Sequence, residues 1–320
     1  MQRLLVLMLV AGSGWAQVQI TPQQDRATIR VAGQPFSELH FGGAAHKPYL
    51  HPLRSASGKV VTRGFPVDPQ PGEMTNSPHQ LGLWVGHEKL NGIDFFEVDP
   101  VMEISKKRPV GTVRFKDLTA AESGADRGSL SFRADWVAPD GQVHVVENRT
   151  ITIHSTPKEL RIVDVDFKLQ FPAGATISDH ADGVLGLRLG KPFEERNGGV
   201  VKNFTGTAGA DNLYGRRSPW IDYTATVDGE RLGVAVFDHP SNYNFPTRWK
   251  IRTFASIFVS AFGEQEFYHE NPWKMAIPNT AKDAGLKMEA GGELRFRYRV
   301  VVHPAQFDAE AAWRAFAQLP

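Results

Sequence analysis

Histidines and aspartates in segments rich in Gly and Pro are the residues of this chain best suited to transfer protons. His79 lies in "TNSPHQLGLWVGHEKLNGIDFFE" (residues 75–97), Asp222 lies in "RRSPWIDY", and Asp238 and His239 follow the strand-like "RLGVAVF". Imidazole and carboxylate groups act as proton donor and acceptor when a fold brings them together. We therefore predict His79, Asp222, Asp238 and His239 as catalytic residues.

The two histidines of residues 75–97 are too far apart to share a site on a regular strand. His79 and His87 are separated by roughly 26 Å along a straight strand. A bulge at Gly82 or Gly86 would bend the chain without reversing it. We predict a structural role for His87 and keep His79 as the functional candidate, with a loop histidine bonded to a backbone carbonyl as the alternative.

The segment "RRSPWIDY" combines cations with an aromatic ring. Arg216 and Arg217 come just before Trp220. An arginine beside a tryptophan suits a pocket for a sugar or a carboxylate, and the alternative is a salt-bridged loop. We predict that Arg217 and Trp220 bind substrate.

Two loops carry ligand types that suit a divalent metal. Asp179, His180 and Asp182 lie in "SDHADG", and Asp238 and His239 are adjacent. Carboxylates and imidazoles are hard or borderline ligands. The alternatives are an aspartate that initiates a strand and an Asx-turn at Asp238. The cofactor is left undefined at this point, with a divalent metal as the candidate.

Composition excludes several classes of chemistry. The chain has no cysteine, which removes thiolate catalysis and cysteine metal sites. Lys and Arg total 36 against 35 Asp and Glu, so no basic footprint for nucleic acid or an anionic membrane is present. GxSxG, HExxH and P-loop spacings are absent from the sequence.

The elements that must position these residues are mostly strands. "ATIRVAG", "GSLSFRADWVA", "ELRIVDVDFKLQF" and "LRFRYRVVVHP" alternate apolar and polar residues, which is typical of half-buried antiparallel strands. "PDG" (residues 139–141) and "DGE" (residues 228–230) predict hairpin turns. "FDAEAAWRAFAQ" predicts a C-terminal helix. We predict one large antiparallel β-sandwich domain over residues 17–320.

The N-terminus indicates export. Arg3 is followed by the apolar run "LLVLMLVAG" and by small residues before Gln17, which is the pattern of a secretory signal peptide over residues 1–16. The run is shorter than the ~20 apolar residues that span a bilayer. We predict a periplasmic or secreted protein with no membrane span.

A resemblance to a known family covers most of the predicted mature chain. It is carried, in order, by "HKPYLHPLRSASGKVVTRGFP", "PGEMTNSPHQLGLWVGHEKLNGIDFFE", "DGVLGLRL", "GRRSPWIDYTATVDGERLGVAVFDHPSNYNFPTRW", "FGEQEF" and "LRFRYRVVVH". Together these segments resemble the exported bacterial family catalogued as PmoA-like and often labelled methane oxygenase PmoA. The methane monooxygenase subunit of that name is an integral membrane protein, so we reject methane oxidation as the activity. The resemblance implies a sandwich like the galactose mutarotase supersandwich, and carbohydrate chemistry.

The chain departs from the family pattern at two places. Members typically read Asp-His-Pro-His-His-Arg-Gly/Ser-Leu-Trp where residues 76–84 read "NSPHQLGLW", which retains one histidine of three, His79. They read Trp-His-x-Arg where residues 249–252 read "WKIR". The functional residues that the resemblance retains are His79, Arg217, Trp220, Asp222, Asp238, His239, Arg248 and Trp249.

These residues lead to a hypothesis and two alternatives. The hypothesis is a carbohydrate-active enzyme without a redox cofactor, a hydrolase, lyase or epimerase, whose partner is a small-molecule sugar. In it, Arg217 and Arg248 hold hydroxyls or a carboxylate, and Trp220 and Trp249 stack on the ring. The alternatives are a non-catalytic carbohydrate-binding module, which would depend on the two tryptophans, and a metal-dependent protein.

Overall fold

A computed structural model describes residues 17–42, 46–98, 108–270 and 282–320, and the predicted signal peptide lies outside them. The described strands are β1 (Val18–Pro22), β2 (Arg26–Val31), β3 (Gln34–His40), β4 (Tyr49–Leu50), β5 (Leu83–His87), β6 (Thr112–Glu122), β7 (Arg127–Val137), β8 (Val143–His154), β9 (Arg161–Phe171), β10 (Ala175–Ile177), β11 (Gly183–Arg188), β12 (Val200–Asn203), β13 (Trp220–Val227), β14 (Glu230–Asp238), β15 (Arg248–Arg252), β16 (Ser256–Ser260), β17 (Leu286–Met288) and β18 (Gly292–Pro304). The helices are α1 (Ala210–Leu213), α2 (Gln265–Glu270) and α3 (Ala309–Ala317), with 3₁₀ turns at Lys191–Phe193 and Glu195–Asn197.

The strands form two large antiparallel sheets. The first sheet has the order β1-β2-β3-β4-β5-β11-β16-β15, and the second has the order β12-β13-β14-β18-β9-β8-β7-β6. Strands β10 and β17 pair separately. The predicted antiparallel β-sandwich is therefore confirmed.

A single apolar cluster joins the two sheets. Leu83 and Leu185 of the first sheet pack in the same buried cluster as Val234 and Val300 of the second. Alternation along each strand produces this core, because every second side chain points toward the other sheet. The predicted period-two strands are confirmed, and the turns at residues 139–141 and 228–230 join β7 to β8 and β13 to β14.

The predicted C-terminal helix is also confirmed. Asp308 caps α3 by accepting a hydrogen bond from the backbone N–H of Ala311 at 3.0 Å. Phe316 of α3 packs on Trp220 and Val301, which lie on the face of the second sheet that points away from the shared core. Across the described residues, the helices are too short or too polar to cross a membrane.

The central strands of the first sheet are buried on both faces. All five residues of β5, "LWVGH", are buried. Leu83 and Val85 face the shared core, whereas Trp84 packs on the opposite, outer face with Phe96 and Phe258. Gly186 of β11 makes room for the indole, because a Cβ at this position would lie 2.3 Å from Trp84 Cζ2. The outer face of this sheet is therefore covered by aromatic rings and by the loops that flank β5.

Candidate functional site

Charged side chains gather on the outer face of the first sheet, where β5, β11, β16 and β15 lie side by side. In β15, Trp249 and Ile251 point into the shared core, so alternation places Lys250 on the outer face. Asp182 directly precedes β11, and the loops around β5 supply most of the remaining residues. We call the following set the outer-face cluster: Lys47, His79, Glu88, Asp94, Glu97, Arg108, His180, Asp182 and Lys250.

The loop before β5 is fixed by a buried arginine. Arg63 donates hydrogen bonds to the carbonyl oxygens of Asn76 at 2.7 Å and Ser77 at 2.8 Å. It also donates to the carbonyl of Gln80 at 3.2 Å. These bonds hold the backbone on both sides of His79 and so position its ring.

The turn after β5 is fixed by one of its own carboxylates. Asp94 Oδ1 accepts hydrogen bonds from the backbone N–H groups of Phe96 at 2.8 Å and Glu97 at 2.9 Å. This Asx-type turn presents the Glu97 side chain to the cluster.

A single arginine serves three carboxylates. Arg108 pairs with Glu88, with Asp94 Oδ2 at 3.0 Å and with Glu97 Oε2 at 2.7 Å. One positive charge cannot neutralise three negative ones, so ionisation of all three is disfavoured.

Burial and neighbouring charge keep a proton on Glu97. Burial, then the charges of Asp182 and Asp94, raises the pKa of Glu97 to about 7. Burial also raises the pKa of Asp94 to about 6. The Glu97 side chain is 26% exposed, so it can exchange this proton with solvent or with a ligand.

Asp182 is held in the opposite state. Burial opposes its ionisation, but the charge of Lys250 and the hydrogen bond from that residue favour it, and the pKa of Asp182 is lowered. Lys250 Nζ lies 2.7 Å from Asp182 Oδ2. The other oxygen, Oδ1, is buried and has no hydrogen-bond partner among the described residues. An ionised carboxylate oxygen is therefore free to accept a proton or a hydrogen bond.

Both histidines of the cluster are neutral. Burial, then the charge of Lys47, lowers the pKa of His79 well below its usual value. His79 Nε2 lies 3.6 Å from Glu97 Oε1, and its Nδ1 is buried without a partner among the described residues. Burial lowers the pKa of His180 to about 3, and its Nδ1 accepts a hydrogen bond from the Asp182 N–H at 3.2 Å.

Aromatic rings lie beneath the charged groups. Trp84 packs against Phe96 with ring centroids 5.2 Å apart and against Phe258 at 5.9 Å. Lys47 Nζ lies 4.8 Å from the Trp84 ring centroid and donates to the Phe96 carbonyl at 2.6 Å. The Trp84 indole N–H is buried without an acceptor among the described residues.

Two overlapping sets within the cluster have ligand atoms close enough for one metal ion. They are Glu88 with His180 and Asp182, and Glu88 with Asp94 and Glu97; the atoms of each set lie within 4.8 Å of one another. Carboxylates with an imidazole suit a divalent cation. Arg108 and Lys250 already contact these carboxylates, so a metal ion would compete with two cations.

The residues predicted to be catalytic or to bind substrate lie in several separate places, and among them His79 belongs to the outer-face cluster. Asp238 is fully buried, its Oδ1 accepts from Asn242 at 2.8 Å, and its Oδ2 accepts from the Thr247 N–H and hydroxyl at 3.0 Å each. Burial raises the pKa of Asp238 to about 6. Every oxygen of this carboxylate is occupied by the loop that follows it.

His239 packs against the C-terminal helix. Its Nδ1 pairs with the Ser241 hydroxyl at 2.7 Å, and Arg297 donates to its Nε2 at 3.0 Å. Its ring meets Phe316 edge-on at 5.2 Å. The adjacent Asp238 and His239 thus hold separate parts of the structure.

Asp222 and Trp220 belong to the second sheet. Asp222 Oδ1 pairs with His303 Nε2 at 2.9 Å, and both side chains are almost fully buried. Trp220 is 5% exposed and packs under α3. Its indole face is not accessible for stacking on a sugar.

The other predicted binding residues support the loops beside β15. Trp249 is 1% exposed in the shared core and donates to the Ser218 carbonyl at 2.8 Å. Arg217 pairs with Glu264, and Arg248 donates to the same carboxylate at 2.7 Å. Arg217 therefore lies in a salt-bridged loop, which is the alternative interpretation of "RRSPWIDY".

Two further polar residues, His87 and Asp179, form hydrogen bonds with backbone groups. His87 pairs with the Ser178 carbonyl at 3.0 Å and packs edge-on against Phe262, in agreement with its predicted structural role. Asp179 accepts from the N–H groups of Gln265 and Glu266 at 3.0 Å each, at the start of α2. Of the loop "SDHADG", His180 and Asp182 reach the outer-face cluster.

Sequence reasoning missed Glu88, Asp94, Glu97 and Arg108. Three of them lie within or next to the stretch that suggested His79, which ends in "IDFFE". A signal for this site is present in the sequence: the acidic residues Asp94 and Glu97 flank two phenylalanines. Carboxylates in an apolar segment indicate groups with perturbed pKa values and hence a candidate functional site.

Comparison with known families assigns the chain to a family whose function is unknown. Residues 26–317 match the family of unknown function DUF6807, so the chain belongs to this family. The PmoA-like name suggested by the sequence resemblance is not part of that description and stays a prediction. A search of curated proteins finds no significant match.

Several solved structures resemble the chain at low identity. A heparan sulfate lyase from Pedobacter heparinus matches with 10% identity and a TM-score of 0.38, over 91% of this chain and 35% of the lyase. A galactose mutarotase related enzyme from Lactobacillus acidophilus matches with 8% identity and a TM-score of 0.39, over 91% of this chain and 99% of that one. A protein from the human microbiome that is assigned as a kojibiose phosphorylase matches with 10% identity and a TM-score of 0.32, over 65% of this chain and 23% of that one. The chain thus spans about a third of the length of the lyase and about a quarter of the length of the phosphorylase.

Proposed function

We propose that the protein is an exported enzyme that acts on a sugar by acid–base catalysis at the outer-face cluster. Export is supported by the signal-like residues 1–16. The observation that carries the catalytic proposal is the contrast between Glu97, partly exposed and protonated near neutral pH, and Asp182, buried and ionised with one free oxygen. Carboxyl groups whose environments push their pKa values apart mark the acid and the base of an active site.

The polar atoms without partners support a sugar as the ligand. Asp182 Oδ1 and His79 Nδ1 of the outer-face cluster, and Nε1 of the underlying Trp84, are buried without partners among the described residues. Such atoms destabilise a fold unless something satisfies them. A ligand that both donates and accepts hydrogen bonds meets these needs, and sugar hydroxyl groups do so.

Each residue then has a defined task. Glu97 donates its proton to an oxygen of the sugar, and Asp182 Oδ1 accepts a proton from water, from a hydroxyl or from a C–H group. The source of this second proton separates hydrolysis, epimerisation and elimination. Lys250, 2.7 Å from Asp182, keeps the base ionised before the transfer. Exchange with solvent afterwards returns a proton to Glu97 and removes the proton from Asp182.

Product analysis by NMR tests this proposal. The protein is incubated with oligosaccharides and with keto-glycosides, alongside the Glu97→Gln and Asp182→Asn variants. Asp222→Asn is the control, because Asp222 is a buried, histidine-paired carboxylate on the other sheet. We expect a new sugar signal with the wild type and the control, and none with the two cluster variants. Sugar binding without any product in the wild type would contradict the proposal and favour a non-catalytic binding module.

A metal-assisted form of the same chemistry is the second candidate. It is favoured by the close approach of ligand atoms from Glu88, His180 and Asp182. A divalent ion there would polarise a sugar oxygen as a Lewis acid. Elemental analysis and a chelator added to the NMR assay decide it: stoichiometric metal and chelator-sensitive turnover support it, and their absence rejects it.

A further inference from the structure

Two buried arginines lie behind the loop that carries His79. Arg63 is 2% exposed and Arg188 is 0% exposed. Arg63 donates to the carbonyl of Gln80 at 3.2 Å, and Arg188 donates to the side-chain oxygen of the same residue at 2.9 Å. The two guanidinium groups are therefore neighbours that converge on Gln80.

Both groups are charged. Burial, then the charge of Arg63, lowers the pKa of Arg188 to about 9. Burial lowers the pKa of Arg63 to about 10. Each pKa still lies well above neutral pH, so two positive charges are buried side by side.

These charges have unpartnered donors. The Nε of Arg63 and the Nε and Nη2 of Arg188 are buried without an acceptor among the described residues. The Arg188 guanidinium lies 4.4 Å from the Phe254 ring centroid. The Phe254 ring offers it no hydrogen-bond acceptor. A buried cation without a counter-charge is strongly unfavourable, and a water molecule would satisfy a donor without neutralising the charge.

The nearest carboxylates are engaged elsewhere. Glu73 accepts hydrogen bonds from the backbone N–H groups of Gly64 at 2.8 Å and Phe65 at 2.9 Å. Glu194 accepts from Arg196 at 2.6 Å. They favour the charged arginines from a distance, but neither forms an ion pair with them within the described part of the chain.

We propose that a small inorganic anion of the size of chloride binds between Arg63 and Arg188. Such an anion accepts the free N–H donors and neutralises one of the two charges. The enclosure of both side chains excludes a substrate-sized group. The anion also braces residues 74–80, because both arginines hold this loop, and it thereby steadies His79.

Thermal unfolding in sodium chloride tests the proposal. Chloride replaces the bulkier methanesulfonate at constant ionic strength, so that general screening does not change. We expect the unfolding midpoint to rise by about 3 °C for each tenfold increase in chloride above its Kd. The Arg188→Met variant should lose this response. Arg161→Met is the control, because Arg161 is also buried but donates to the carbonyls of Lys158 and Leu160; it should keep the response.

Crystals soaked in sodium bromide provide an independent measurement. We expect an anomalous peak within contact of both guanidinium groups. An unfolding midpoint of the wild type that does not depend on chloride, together with no bromide peak between the arginines, would overturn the proposal. This outcome needs no variant, so it remains decisive if Arg188→Met fails to fold.

Discussion

Two histidine–carboxylate pairs on opposite sides of the sandwich differ in how completely they are satisfied. On the second sheet, His303 Nε2 lies 2.9 Å from Asp222 and its Nδ1 lies 2.8 Å from the Pro304 carbonyl, while Lys202 approaches the same carboxylate at 3.6 Å. On the first sheet, His79 lies 3.6 Å from Glu97, and its Nδ1 has no partner among the described residues. The pair on the second sheet is complete without a ligand, and the pair on the first sheet is not.

Two buried aspartates show the same difference. Both oxygens of Asp238 are occupied by Asn242 and Thr247, whereas one oxygen of Asp182 is free. A fully bonded network contributes to stability, and a partly bonded one marks a place where stability is exchanged for function. This contrast supports the proposal that the outer-face cluster is the working site.

The largest expected effect is the loss of turnover on changing the cluster. Glu97→Gln and Asp182→Asn should each reduce kcat/KM by about 10²–10⁴-fold, because each removes one proton-transfer group. Asp222→Asn should stay within about threefold of the wild type. Steady-state kinetics on the sugar identified by NMR checks this. Equal losses in all three variants would contradict the assignment of catalysis to the outer-face cluster.

The tryptophans predicted as sugar platforms should act on stability instead. Trp249→Ala should lower the free energy of unfolding by about 3–5 kcal/mol, because it empties a large volume of the shared core. Urea denaturation measures this loss. The KM of molecules that remain folded should be unchanged, and a raised KM without a loss of stability would restore the sugar-stacking role.

The buried proton of Glu97 should appear in the pH dependence of stability. The pKa of Glu97 rises from 4.5 to about 7 on folding, so its contribution is complete below pH 4.5 and is lost as the pH rises to 7. The loss is on the order of 3 kcal/mol. Urea denaturation of the wild type and Glu97→Gln at pH 5 and pH 8 isolates it, because other titrating groups are common to both. A constant difference between the two proteins would contradict the raised pKa.

The smallest effect concerns the rate at alkaline pH. Because Glu97 must be protonated to act as the acid, kcat/KM should fall about tenfold per pH unit above 7. Asp222→Asn should show the same profile. A rate that stays flat to pH 9 would contradict the role of Glu97 as the acid and would assign that role to another group.

The strands and the C-terminal helix could be predicted because their signals are local. Alternation in "ELRIVDVDFKLQF" and the Asp308 cap before α3 each depend on neighbouring residues. The site could be predicted only in part, because it is assembled by the non-local pairing of β5 with β11 and of β11 with β16. His79 is identified from the sequence, and His180 and Asp182 are identified as candidate metal ligands, but the sequence does not show that Asp182 meets Lys250 across 68 positions of the chain.

Residues 79–87 show a second reason. A separation of roughly 26 Å holds only where His79 and His87 lie on one extended segment. Strand β5 begins at Leu83, and the preceding residues turn, so the charge of Asp182 acts on both histidines. The assignment of His87 to structure agrees with its bond to Ser178, but the separation from which it was argued does not apply.

A crystal structure of the Glu97→Gln variant with the sugar that the wild type converts would show whether the outer-face cluster is the active site. We expect a sugar ring beside residue 97, a partly exposed member of the cluster, with hydroxyl groups in hydrogen-bonding distance of Asp182 Oδ1 and His79 Nδ1. A sugar bound elsewhere, for example in the 480 Å³ groove lined by Asn91, His144 and Lys287, with the outer-face cluster unchanged, would contradict it.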